Sequence, residues 1–181
     1  MIGSDIAKRY ARALFDIARE EDKIEVIYGE LEGFSSMLKE NKGLAEFFVN
    51  PVFDSSDKSA VMEDILDKIG MSITTSNFLM LLVDKRRIDV LEQIEECYQG
   101  YMDNVLNKVR VGVKTAFPLS SELSVRIKKQ MEGLTGKKVE MVVDEDPSLL
   151  GGIVIGVGDT LYDGSVKAQL NNIRELIREE M

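Results

Sequence analysis

Residues 149–165 read Leu-Leu-Gly-Gly-Ile-Val-Ile-Gly-Val-Gly-Asp-Thr-Leu-Tyr-Asp-Gly-Ser. An apolar run, a Gly-Asp turn and a second short β-prone run predict two strands joined by a tight turn. Val166-Lys-Ala-Gln-Leu-Asn-Asn-Ile-Arg-Glu-Leu-Ile follows at once with a helical period. Asp159 is read as a turn residue, Asp163-Gly164 as the end of the hairpin, and Ser165 as the N-cap of the closing helix. No phosphate loop or metal-ligand cluster lies in this stretch. It reads as a packing and docking element.

The residues before it share its alternation. Lys108-Val-Arg-Val-Gly-Val-Lys-Thr and Lys138-Val-Glu-Met-Val-Val-Asp are predicted strands. Pro118-Leu-Ser-Ser opens a helix between them, with Leu123, Ile127, Met131 and Leu134 inward and Gly133 and Gly136 near its end.

Upstream of residue 107 the period is 3.6. One helix is expected over 4–21, capped by Ser4 or Asp5, with a stripe at Ile6, Tyr10, Leu14 and Ile17. The next, over 23–40, turns Ile24, Ile27, Leu31, Phe34 and Leu38 to one side. A short helix over 43–49 ends at Asn50-Pro51, because the residue before proline disfavours helix. The helix over 56–69 points Val61, Ile65 and Ile69 inward and stops at Gly70. Residues 74–84 are apolar nearly all round, which predicts the most buried helix. A long helix over 88–106 completes the set, with Leu91, Ile94, Tyr98, Tyr101 and Val105 on its face. The fold class is therefore α+β and mostly helical. A six-helix bundle over 1–106 precedes a small mixed strand and helix domain over 107–181.

Charge divides the same way. Residues 1–105 carry 12 Lys/Arg and 21 Asp/Glu, a balance of −9, whereas residues 106–181 carry 11 of each. The acidic part repels phosphate backbones, which argues against nucleic-acid binding. The longest apolar run, Phe78–Val83, is too short for a membrane span, which needs about 20 residues. Direct membrane insertion is not expected. Acids among the basic residues of 5–21 argue against a transit peptide.

The chain has no histidine and one cysteine, Cys97. Ser–His and Cys–His nucleophile systems cannot be built from it, and a zinc site is disfavoured. Gly156-Val-Gly158 lacks the third glycine of a dinucleotide fingerprint, since Leu161 stands in its place. Gly136-Lys-Lys lacks the rest of a phosphate loop. Asp144-Glu145-Asp146 has no calcium-loop spacing and reads as solvated charge. No catalytic residue, metal or cofactor is expected. What remains is recognition: a helical bundle can hold an amphipathic helix in a groove between two of its own helices.

Gly151-Gly-Ile-Val-Ile-Gly-Val-Gly-Asp-Thr-Leu-Tyr-Asp-Gly-Ser-Val-Lys-Ala-Gln-Leu resembles the C-terminal signature of the delta subunit of F-type ATP synthase, whose mitochondrial equivalent is the oligomycin-sensitivity-conferring protein. Ile6-Ala-Lys-Arg-Tyr-Ala-Arg-Ala-Leu-Phe15 and the segment Asn77 to Arg87 resemble the same family. Gly156 departs from it, standing where a charged or polar residue is frequent.

The resemblance implies a non-catalytic stator subunit of a proton-translocating ATP synthase, peripheral on the cytoplasmic face of the cell membrane. It implies that the bundle grips the N-terminal helix of an alpha subunit between its first and fifth helices, with Tyr10, Leu14, Phe78, Leu81 and Leu82 as candidates. It implies that the C-terminal part meets the b subunits of the peripheral stalk, with Gly151, Gly152 and the last helix supporting that junction. The other reading of the residues is an unrelated two-domain scaffolding or regulatory adaptor that binds an amphipathic helix.

Overall fold

A computed structural model of the chain describes residues 2–158 and 160–179. They divide into two compact units, Met1–Met102 and Asp103–Met181. Asp159, read as a turn residue, lies outside the described residues.

The first unit holds α1 (Ile2–Glu20), α2 (Ile24–Glu40), α3 (Lys42–Val49), α4 (Ser55–Ile69) and α5 (Ile73–Asp84). A 3-10 turn, Ile88–Val90, leads into α6 (Leu91–Val105), so the helix expected from residue 88 starts with a tighter turn. Helix α1 starts ahead of Ser4 and Asp5, so neither residue is its N-cap. Asn50 takes an extended conformation after α3, as its place before proline requires. Gly70 ends α4 in the left-handed region, φ 72°.

Two faces differ from expectation. In α1 the core side is Ala7, Ala11, Leu14, Phe15 and Ala18, one residue round from the apolar stripe. Its alanines let α1 approach the other helices closely, which leaves Ile17 46% exposed. In α4 the buried positions are Lys58, Met62 and Leu66, whereas Val61 and Ile65 are half-buried and Ile69 is exposed. Lys58 shifts the face, because its ammonium donates to the Asn50 carbonyl at 2.7 Å, at the end of α3.

Aromatic residues join α1, α2 and α6. Phe15 meets Tyr98 edge-on with ring centroids 5.4 Å apart, and Tyr28 stacks on Tyr98 at 6.4 Å. Tyr98 is fully buried and its hydroxyl donates to the Ile24 carbonyl at 3.1 Å. Burial pushes its phenol well above the ordinary range.

The second unit contains β1 (Lys108–Thr115), α7 (Ser121–Thr135), β2 (Lys138–Glu145), a 3-10 turn at Pro147–Leu149, β3 (Ile153–Val157), β4 (Thr160–Asp163) and α8 (Val166–Glu179). The sheet order is β2-β1-β3-β4. Strands β1 and β2 are parallel, with α7 as the crossover, and the other two pairs are antiparallel. Ser120 caps α7 and Gly136 ends it in the left-handed region. Val111, Val113, Ile127, Met131 and Val139 form the core between sheet and helix. Leu123 and Leu134, expected to point inward, are exposed, because the single helix on this face buries only a narrow stripe. Asp146, in the acidic run, accepts from the Ser148 amide at 3.0 Å and caps the turn at Pro147.

Tyr98→Phe removes a buried donor from the Ile24 carbonyl. Urea unfolding should show a loss of about 1 kcal/mol. With no histidine in the chain, the thermal midpoint should stay nearly constant between about pH 6 and 8.

Candidate functional site

Helices α1 and α5 leave an open apolar groove of about 650 Å³ between them. They run in opposite senses, since Glu21 of the loop after α1 meets Thr74 at the start of α5, while Tyr10 meets Phe78 further along. Side chains on a helix advance about 100° per residue, so positions three or four apart share a face. On α1, Tyr10, Ala13, Leu14 and Ile17 turn toward the groove, and on α5, Thr74, Asn77, Phe78 and Leu81 do so.

Four of the five residues expected there line it. Tyr10 and Phe78 meet edge-on with centroids 6.3 Å apart and 68° between planes. Leu14, almost wholly buried, is the floor, and Leu81, 41% exposed, stands at the rim. Leu82 does not line the groove. It is 0% exposed and shares the core side of α5 with Thr75 and Leu79, because one residue beyond Leu81 is a rotation out of the groove.

Polar contacts fix the start of α5. Ser72 caps it, its Oγ accepting from the Thr75 amide at 3.4 Å. The Glu30 carboxylate, from α2, accepts from the Ser72 amide at 2.7 Å, the Ser72 hydroxyl at 2.6 Å and the Thr75 hydroxyl. Thr74 donates to Glu21 at 2.9 Å, and this bond, with Lys23 nearby, holds the Glu21 carboxyl below its ordinary range. Sequence reading did not find Glu30, which lies 42 residues before its partner Ser72. Arg9 and Asn77 were also missed as groove residues. Neither belongs to an apolar stripe, and both border the opening.

Gly151 and Gly152 lie where the segment before β3 meets the start of α8. The Val166 amide donates to the Gly151 carbonyl at 3.0 Å, and the Gly164 amide donates to the Ile153 carbonyl at 2.9 Å. Gly152 has φ 81°, and a Cβ there would fall 2.4 Å from the Gly164 carbonyl oxygen. No side chain fits. Ser165 caps α8, its Oγ accepting from the Ala168 amide at 3.1 Å. Asp163 accepts from the Ser165 amide at 2.9 Å, which lowers its pKa. Gly156 pairs with Gly112 on one side and Leu161 on the other, and a Cβ there would lie 3.8 Å from the Leu161 side chain. A side chain therefore fits at Gly156, and its absence leaves the strand intact.

The fold defines a two-unit protein, mostly helical, with an open apolar groove between two helices of its first unit. The family model for the ATP synthase delta (OSCP) subunit matches residues 6–177. The chain is 57% identical over 179 residues to an ATP synthase subunit delta of Syntrophus aciditrophicus, covering 99% of both chains. It is 38% identical over 173 residues to that of Desulfatibacillum aliphaticivorans, covering 96% of this chain and 94% of the other. Its fold matches a chain in a cryo-EM structure of the Toxoplasma gondii mitochondrial ATP synthase hexamer with a TM-score of 0.71, at 22% identity, over 94% of this chain and 96% of that one. The chain belongs to the ATP synthase delta (OSCP) subunit family, the non-catalytic stator subunits that link the F1 head to the peripheral stalk. The unrelated scaffolding adaptor is not favoured. Among the described residues no helix is long and apolar enough to cross a membrane.

Gly152→Ala should destabilise the second unit by about 2–4 kcal/mol in urea unfolding, through backbone strain and the clash with Gly164. Gly156→Ala should cost less than about 1 kcal/mol. Leu82→Ala should cost about 2–5 kcal/mol by leaving a cavity, while Leu81→Ala should cost less than about 1 kcal/mol.

Proposed function

We propose that the first six helices act as one bundle and grip the N-terminal helix of an alpha subunit of the catalytic head. Tyr10, Leu14, Phe78 and Leu81 make the contact, and Leu82 supports it from the core. The single observation that carries this reading is the open apolar groove between α1 and α5, which is helix-lined, and floored and rimmed by leucines. A helix laid in it buries apolar area, at roughly 25 cal/mol per Å². The Glu30 and Glu21 contacts hold α5 in place beforehand, which reduces the ordering cost of binding.

The second unit, in this reading, meets the b subunits of the peripheral stalk near Gly151, Gly152 and α8. The whole sits peripherally at the cytoplasmic face of the membrane. Its task is mechanical. Proton-driven rotation would drag the catalytic head round, and a noncovalent clamp at each end of this chain opposes that torque.

The test is a titration of the full-length chain with a synthetic peptide of the alpha-subunit N-terminal helix. Tyr10→Ala should weaken binding by about tenfold or more, as loss of a central aromatic anchor does, and Cys97→Ala should leave it unchanged. Equal effects of the two substitutions would rule out Tyr10 as an anchor. A pull-down from native membranes should recover the chain with the ATPase subunits, and recovery with none of them would overturn the stator reading.

A further inference from the structure

An edge strand carries unpaired N–H and C=O groups, and most such strands are kept short or interrupted. The two edges of this sheet differ in that respect. Strand β4 is four residues long, whereas β2, at the other edge, runs for eight in an unbroken parallel register with β1. No proline lies within β2. Its Val142 and Val143 are 51% and 38% exposed. Between α7 and the strand lies a hollow of about 530 Å³, lined by Val125, Val139 and Met141, with Lys138 at its border. Val125 is itself exposed.

The hydrogen bonds show which residues face the open side. The Lys138 and Asp146 amides donate to the carbonyls of Asn107 and Thr115, on the β1 side. The Val139 amide points the other way and donates to the Glu132 carboxylate at 3.4 Å. Orientation alternates along a strand, so Met141, Val143 and Glu145 turn their N–H and C=O groups to the open edge. An added antiparallel strand must set residues of that kind opposite one another. A second copy of β2 meets this condition. With a two-fold axis at Met141, Val139 comes opposite Val143, Lys138 opposite Asp144, and Lys137 opposite Glu145. Moving the axis to Glu140 sets that carboxylate against itself, and moving it to Val142 sets Glu140 against Asp144. Like charges directly opposite destabilise a strand pair. Lys138 and Asp144 make no ion pair with any described residue.

We propose that two copies of the free chain pair through β2, antiparallel and two-fold, joining two four-stranded sheets edge to edge. The axis is normal to the sheet, so both α7 helices lie on one face. There Val125, Val139, Met141 and Val143 of each copy close the hollow into a shared apolar strip. The Lys138–Asp144 pair, made twice, fixes the register. None of the residues lining the groove between α1 and α5 belongs to this edge.

Sedimentation equilibrium of the full-length chain tests the pairing. The chain should pass from monomer to dimer as its concentration rises. Lys138→Glu should weaken the dimer by about tenfold or more, as like charges brought together across an interface do. Adding Asp144→Lys to that variant should restore dimerisation, since the pair is then the same with its ends exchanged. Both positions are exposed, and a circular-dichroism melt of each variant checks that it folds. Leu161→Ala, an exposed position on β4 at the opposite edge, should dimerise like the unaltered chain. Hydrogen exchange at the Met141 and Val143 amides should slow as the dimer forms. A chain that stays monomeric at its highest soluble concentration overturns the proposal. So does a dimer that Lys138→Glu leaves as tight as before, or one that Leu161→Ala disrupts instead.

Discussion

The groove of the first unit depends on how α1 is packed. Its core side carries Ala7, Ala11 and Ala18, the smallest side chains that still favour a helix. Close approach through alanines turns Tyr10 and Ile17 away from the core, toward α5. Leu14 lies between the two directions, buried against the unit and at the same time the floor of the groove. A bulkier inner face would push α1 outward and alter the groove. The same helix therefore packs Ala7, Ala11, Phe15 and Ala18 into the core and lines the groove with Tyr10, Leu14 and Ile17.

That division explains what was legible in the sequence. The stripe Ile6, Tyr10, Leu14 and Ile17 was visible as a helix signal, and its last three residues line the groove. Alanine carries too little apolar weight to reveal a face by periodicity. The shift in α4 has a different origin, because Lys58 is buried through its aliphatic stem and a hydrogen bond, and a charged residue is ordinarily read as exposed. Leu82 was misplaced because it lies four residues after Phe78, a spacing that fits the groove face as well as the core. In the second unit the alternation showed the strands, and Ser120, Gly136 and Ser165 showed helix ends that the structure bears out.

Contacts distant in sequence were not legible. Glu30 meets Ser72 and Thr75 only because the fold brings α2 to the start of α5, and no local pattern announces it. Gly152 illustrates the converse. The pair of glycines was evident, but the reason for it, a backbone carbonyl 2.4 Å from where a Cβ would be, belongs to the meeting of two chain segments. Family resemblance supplied the expectation of a groove, and the geometry decided which side chains border it.

The sheet order has a mechanical consequence. Strand β1 follows α6 after two residues, so a pull along the chain from α6 reaches the sheet at Lys108, the first residue of β1. That strand is internal, with an eight-residue register to β2 and a five-residue register to β3. Pulled lengthwise, such a strand loads its lateral hydrogen bonds together in shear, whereas an edge strand peeled from one end yields them singly. The chain thus enters the sheet by an internal strand, held by hydrogen bonds on both of its sides.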